Sequence, residues 1–144
     1  MLGRWLVPAC AALLVVLLAG CENDPLGRQP VSGTVMLNGA PIEKGNISFQ
    51  PAEKGVTSSG TVITGGKYEM DRSRGLPPGK YRVMINAPKP GTGAEAAAGA
   101  LPGDPLPPPQ ELVPPEWNTN SEQFVEVTES GPNEFNFDIK AKGK

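Results

Sequence analysis

The chain has 144 residues, with 13 Lys and Arg against 15 Asp and Glu, a net charge of −2 and no histidine. That length carries one ordinary domain rather than two. Its basic residues are scattered, which excludes the clustered Lys and Arg of a nucleic-acid-binding protein, and the missing histidine removes the commonest general base and metal ligand.

Met1-Leu2-Gly3-Arg4 is a short cationic start that runs into the apolar stretch Trp5 to Leu18. This is the layout of a secretory signal peptide over residues 1–20. The stretch is broken by Pro8 and ends in small residues, so it sits at the lower limit of what spans a bilayer. Its last four residues, Leu18-Ala19-Gly20-Cys21, resemble the lipobox of bacterial lipoproteins position for position. The resemblance implies a diacylglycerol thioether on Cys21, cleavage before it and fatty acylation of the new amino terminus. Several acyl chains, each burying methylenes at about 0.8 kcal/mol apiece, hold a protein stably on a membrane where one chain does not. A cell-envelope location, tethered to a membrane through Cys21, is therefore expected. Cys10 departs with the leader, which leaves no disulfide and makes stability depend on a core.

Residues 21–30 are polar and turn-rich, as a tether would be, and the domain is expected over 31–142. Val31, Gly33, Val35 and Leu37 alternate with polar positions, the pattern of a half-buried strand. Asn38-Gly39 is a hairpin signal, because both residues tolerate positive φ, and a two-residue loop sets Val35 beside Ile42. The next strand runs from Asn46 to Gln50 with Ile47 and Phe49 inward, followed by a polar loop over 51–60. Thr61 to Thr64 and Lys67 to Met70 flank Gly65-Gly66 as a second hairpin. Pro77-Pro78-Gly79 has the residue order of a type II turn, and Lys80 to Asn86 places Tyr81, Val83 and Ile85 on one face.

From Pro88 to Glu116 the periodicity stops. Nine of the 17 prolines lie between Pro88 and Pro115, and proline cannot donate to a sheet ladder. A mobile, solvent-exposed arm over 88–116 is expected, with Ala94 to Ala100 too short for a stable helix of its own. Two strands close the chain, Gln123 to Thr128 and Glu134 to Lys140, with Gly131-Pro132-Asn133 turning between them. About seven short strands and no helix beyond the leader predict an all-β protein, an antiparallel seven-stranded sandwich.

The runs Val31-x-Gly33-x-Val35-x-Leu37-Asn38-Gly39-x-Pro41, Gly45-x-Ile47-x-Phe49-x-Pro51, Gly66-x-Tyr68 and Gly75-Leu76-Pro77-Pro78-Gly79-x-Tyr81-x-Val83 resemble the carboxypeptidase regulatory-like domain. Pro115-Glu116-Trp117-Asn118 and Asn133-Glu134-Phe135-x-Phe137 look like the closing segment of short lipoproteins that carry it. The resemblance implies a transthyretin-like (prealbumin-type, Ig-like) sandwich that serves as an accessory module without catalytic residues. The matched positions are Gly, Pro and core residues, and they specify a fold and no chemistry.

With no histidine and no free thiol, an enzyme would have to work with carboxylates, hydroxyls or lysines. The loop acids Asp104, Glu111 and Glu116 are the only candidate pair-formers, and nothing in the sequence fixes their spacing. Glu22, Asp24 and Asp71 lack the dense oxygen spacing of a calcium loop. No catalytic residue, metal or cofactor is therefore expected. Among the aromatics, Tyr68, Tyr81, Phe49, Phe135 and Phe137 fall on inward faces, and Phe124 is out of phase with its neighbours. Trp117, with Asn118 beside it, stands apart at the end of the arm, either as a plug over the sandwich or as a binding surface. The expected function is a membrane-anchored envelope lipoprotein whose sandwich binds or occupies space, with an envelope protein or polysaccharide as partner. Its rivals are a carbohydrate- or peptide-binding module using the Pro-rich loop and Trp117, and a carboxylate-dependent hydrolase.

Overall fold

The computed structural model describes residues 24–54 and 57–141. The signal peptide and Cys21 lie outside the described residues. Eight strands appear: β1 (Val31–Leu37), β2 (Ala40–Pro41), β3 (Lys44–Pro51), β4 (Ser59–Thr64), β5 (Lys67–Met70), β6 (Gly79–Asn86), β7 (Phe124–Val127) and β8 (Phe137–Ile139). Among the described residues helix is limited to one turn, α1 (Ala94–Ala97), and a 3-10 turn at Pro115–Trp117. The all-β, sandwich-like class is thus observed, and the strand beyond the seven expected is the two-residue β2.

The strands run in the order β2-β1-β5-β4-β3-β6-β7 with antiparallel neighbours. Both glycine hairpins form at the expected register. Asn38 and Gly39 take φ of 51° and 83°, both positive as a two-residue I′-type loop requires, and Leu37 opposes Ala40. Gly65 and Gly66 do the same, with φ of 57° and 76°, and Thr64 opposes Lys67. The Pro77-Pro78-Gly79 segment differs from expectation. Gly79 opens β6 with a φ of 153°, far from the value near 80° of a type II turn, and Tyr81 Oη donates to the Pro77 carbonyl at 2.8 Å.

The last strand departs from a simple hairpin. β7 lies at the sheet edge beside β6, while β8 runs parallel to β1, pairing Val35 with Phe137 and Leu37 with Ile139. The crossing over 128–136 is held by Asn133, whose side chain accepts from Thr128 N at 2.9 Å and donates to Thr128 O at 3.0 Å. β8 is also shorter than the stretch 134–140 expected, because Thr34 N–H is taken by the Asn136 side chain at 2.9 Å instead of by a backbone carbonyl.

The core follows the alternation. Val31, Val35, Ile47, Phe49, Ile63, Tyr68, Met70, Tyr81, Val83, Ile85, Val127 and Ile139 are all buried. Four rings run through it in contact: Phe49 to Tyr68 at 6.1 Å, Tyr68 to Phe137 at 6.5 Å and Phe137 to Trp117 at 5.9 Å between centroids. Phe124 faces outward, 48% exposed, with the Lys80 ammonium 4.9 Å above its ring.

Residues 24–30 are not a free linker. Asp24 caps its own turn, accepting from Leu26 N at 3.1 Å and Arg28 N at 2.8 Å. Gln29 then exchanges both backbone hydrogen bonds with Leu76, at 2.8 and 3.1 Å. Residues 24–30 therefore belong to the described domain, because the backbone groups before β1 pair with the loop leading into β6 and do not remain solvated.

Candidate functional site

Both walls of the best-formed hollow lie at the end of the sheet where β1 finishes. One wall is the β1–β2 hairpin: Leu37, Ala40 and Pro41, with Ile42 buried behind them. The other is the base of the Pro-rich arm. β6 ends at Asn86, Ala87 is fully buried, and the chain leaves at Pro88 to return at Glu111. Lys89 N donates to Gln110 O at 2.8 Å and Leu112 N to Ala87 O at 2.9 Å, so the two limbs of the arm are laddered at their root. Pro88, Pro90 and Leu112 from this root face the hairpin across a cleft of about 370 Å³.

Glu111 is what closes the root. Its carboxylate accepts from Ala87 N at 2.6 Å and from Val113 N at 3.2 Å, with Asn86 Nδ2 at 3.5 Å. Val113, just beyond, is buried in the main core. The root of the arm is therefore part of the domain, whereas Leu101 and Leu106 farther out are 74% and 47% exposed. Hydrogen bonds to a charged acceptor contribute about 1.5–3 kcal/mol. Glu111→Ala is expected to destabilise the domain by that amount and to raise amide exchange at Ala87 and Val113, while Glu111→Gln, which keeps an acceptor, loses less. Equal and negligible losses for both variants in urea unfolding would show that the carboxylate does not hold the root.

The rim of the cleft is charged. Glu95, on α1, accepts from Gly91 N at 3.1 Å and pairs with Lys44 Nζ at 3.4 Å, joining the arm to β3, and Glu43 stands beside it. The Gly91 N–H first, and the Lys44 ammonium second, hold the Glu95 carboxyl below the ordinary value of 4.5. A folded value below the unfolded one gives a contribution that is present above the ordinary glutamate range and lost as pH falls through the lowered value. The Gly91 amide resonance is expected to titrate with a midpoint under 4.5, and a midpoint at or above it would mean the contact does not persist in solution.

The residues singled out in the sequence lie elsewhere. Trp117 is half-buried in its 3-10 turn, its ring edge-on to Phe137 at 76°, and Asn118 is buried with 7% exposure. Neither lines the cleft. The acids Asp104, Glu111 and Glu116 do not line it either. Asp104 accepts from Leu101 N at 3.0 Å, and Asp71 accepts from Ser73 Oγ at 2.6 Å and Arg74 N at 3.1 Å, so these carboxylates cap turns, as Asp24 does. No group of three or more Cys, Asp or Glu is placed to share a metal ion among the described residues. A second hollow of about 640 Å³ lies over β1, β4 and β5, but it is a shallow trough walled by Thr34, Thr61, Thr64 and the charged Lys67, Glu69 and Glu134. The apolar cleft is the better-enclosed surface, and it buries a ligand's apolar area where the trough leaves it wet.

No family model matches the chain, and no curated protein matches it. Among solved structures it is similar to a 9R-lipoxygenase from Cyanothece PCC8801, at 10% identity and a TM-score of 0.34, over 83% of this chain and 17% of that one. The chain spans less than a fifth of that protein, and a likeness this weak carries no argument about fold or activity.

No direct signal for the cleft stands in the sequence. Its parts are Leu37, Pro41 and Leu112, each unremarkable in its own segment, and only the pairing of Pro88 with Glu111 brings them together. The run of prolines marks the arm but not its root, since the contacts that close the root come from backbone amides and one carboxylate.

Proposed function

We propose that this protein is a lipid-anchored envelope lipoprotein whose β-sandwich binds a partner rather than catalysing a reaction. The apolar cleft carries the binding half of this reading. Its walls are proline rings and aliphatic side chains on a hydrogen-bonded root, which present apolar surface at little conformational cost on binding. The Leu18-Ala19-Gly20-Cys21 sequence supports the anchor. Of the three carboxylates that the sequence offered for acid–base work, Asp104 and Glu111 are bound to backbone amides, and this favours binding over hydrolysis. The carboxypeptidase regulatory-like resemblance points the same way, toward an accessory module.

Cys21→Ala is expected to abolish lipidation and shift the protein from the membrane fraction, because the thioether and the new amino terminus both depend on that residue. The cleft is tested by capture from detergent-solubilised envelope with the native lipoprotein as bait. Leu112→Glu, which puts a charge on the apolar wall, is expected to abolish capture of the partner, and Trp117→Ala to leave it. The reverse result would transfer binding to the arm's end and favour the second reading, a carbohydrate or peptide site around Trp117 and Asn118.

A further inference from the structure

The first described residues stand at one end of the sheet. β1 runs from Val31 to Leu37, β5 runs against it with Met70 beside Val31, and β6 leaves the same end at Gly79. The Asp24–Arg28 turn, the Gln29–Leu76 pairing and the Asp71–Leu76 loop therefore sit together at the entry end. Ser59 Oγ, bonded to Arg74 O at 2.6 Å, ties β4 to the same end. The cleft, made by Leu37, Pro41 and Pro88, lies at the opposite end. A seven-residue strand separates the two ends by about 20 Å.

Three residue steps lead from Cys21 to Asp24, and a fully extended chain covers at most about 3.6 Å per step. A lipidated Cys21 thus lies within about 11 Å of the Asp24 turn, which is too short a span for the domain to turn over. Arg28, Arg72 and Arg74 stand on this end. Arg28 reaches Asp24 at 3.9 Å and donates through Nη1 to Ser73 O at 3.4 Å. Arg74 reaches Asp71 at 3.9 Å while lining the trough beside Thr61 and Val62. Arg72 has no ion-pair partner among the described residues, so the Arg72 guanidinium and the remaining Arg28 donors are open to phosphate oxygens.

We infer that the entry end of the sandwich, formed by the Asp24–Arg28 turn and the Asp71–Leu76 loop, rests against the phospholipid headgroup layer, and that the short tether holds the cleft and the arm facing away from the membrane. This rests on lipidation at Cys21. The anchor then sets orientation as well as location. A partner approaching from the aqueous side meets the cleft first, and one within the bilayer does not reach it.

The test uses the full lipidated protein in phosphatidylethanolamine–phosphatidylglycerol vesicles that carry a headgroup-attached acceptor dye. Cys21 is the only cysteine left in the mature chain and its sulfur is blocked by the lipid, so a donor dye attaches only at an introduced cysteine. Ser73→Cys marks the entry end, and Ala40→Cys, opposite Leu37 at the close of β1, marks the far end. The Ser73→Cys donor is expected to be quenched several-fold more strongly than the Ala40→Cys donor, and a long Gly-Ser insertion between Glu22 and Asn23 is expected to erase that difference. Equal quenching without the insertion would overturn the orientation, and a difference that survives the insertion would overturn the role given to the short tether. The mass of the same sample reports lipidation separately. An unlipidated protein that does not partition into the vesicles refutes the anchor itself, whereas a lipidated protein with equal quenching refutes the orientation alone.

Discussion

Replacing Phe49 by alanine is expected to lower the unfolding free energy by about 3–5 kcal/mol, a large part of the stability of a domain this size. Phe49 is fully buried on β3, where it pairs with Val83 of β6 and Ser59 of β4. Its ring meets Tyr68 at 6.1 Å, at a 44° tilt, so truncation removes one end of the aromatic chain that reaches Trp117. The lost transfer energy adds to a cavity that rigid neighbours on three strands cannot fill. Urea unfolding checks this, and a loss under about 1 kcal/mol would mean that the ring is not enclosed as described.

A single methyl group at Gly33 is expected to destabilise the domain by about 3 kcal/mol, the upper end of what overpacking usually costs. A Cβ there would lie 1.8 Å from the Phe135 carbonyl oxygen and 2.8 Å from Tyr68 Oη. The obstacle is backbone, so it cannot rotate away. The strand entering β8 would have to lift from β1, breaking the hydrogen bond from Tyr68 Oη to Phe135 O at 2.7 Å. Gly99→Ala is the matched control, since nothing lies within 4 Å of a Cβ at that position. Similar melting temperatures for Gly33→Ala and Gly99→Ala would show that the crossing of residues 133–137 over β1 is loose.

Gly33 also shows where sequence reading stops. Alternation in Val31 to Leu37 gives the strand and its inward face, and Asn38-Gly39 gives the turn and the register, because these depend on neighbours along the chain. The glycine itself reads as one more strand position, and only the close approach of Phe135 explains why no side chain is accommodated. The same distinction separates β7 from β8. Val125, Val127, Phe137 and Ile139 mark inward faces in the sequence, but the choice between a hairpin and a parallel pairing with β1 is made by contacts a hundred residues apart. Residues 24–30 read in the sequence as polar and turn-rich, and their bonding to the loop before β6 depends on Leu76, nearly fifty positions away. For the candidate site, Trp117 and the loop acids were visible as unusual residues, whereas the cleft is a product of how the arm's root closes.

On the proposed reading, an anchor at Cys21 would place the protein and the sandwich would present the cleft away from the membrane. The central claim is the anchor at Cys21, and the intact mass of the native protein extracted in detergent tests it most directly. The predicted species begins at Cys21 and carries a diacylglycerol on sulfur and an acyl chain on its amino group. An unmodified Cys21 in the mature chain, or a leader still attached, would contradict the account.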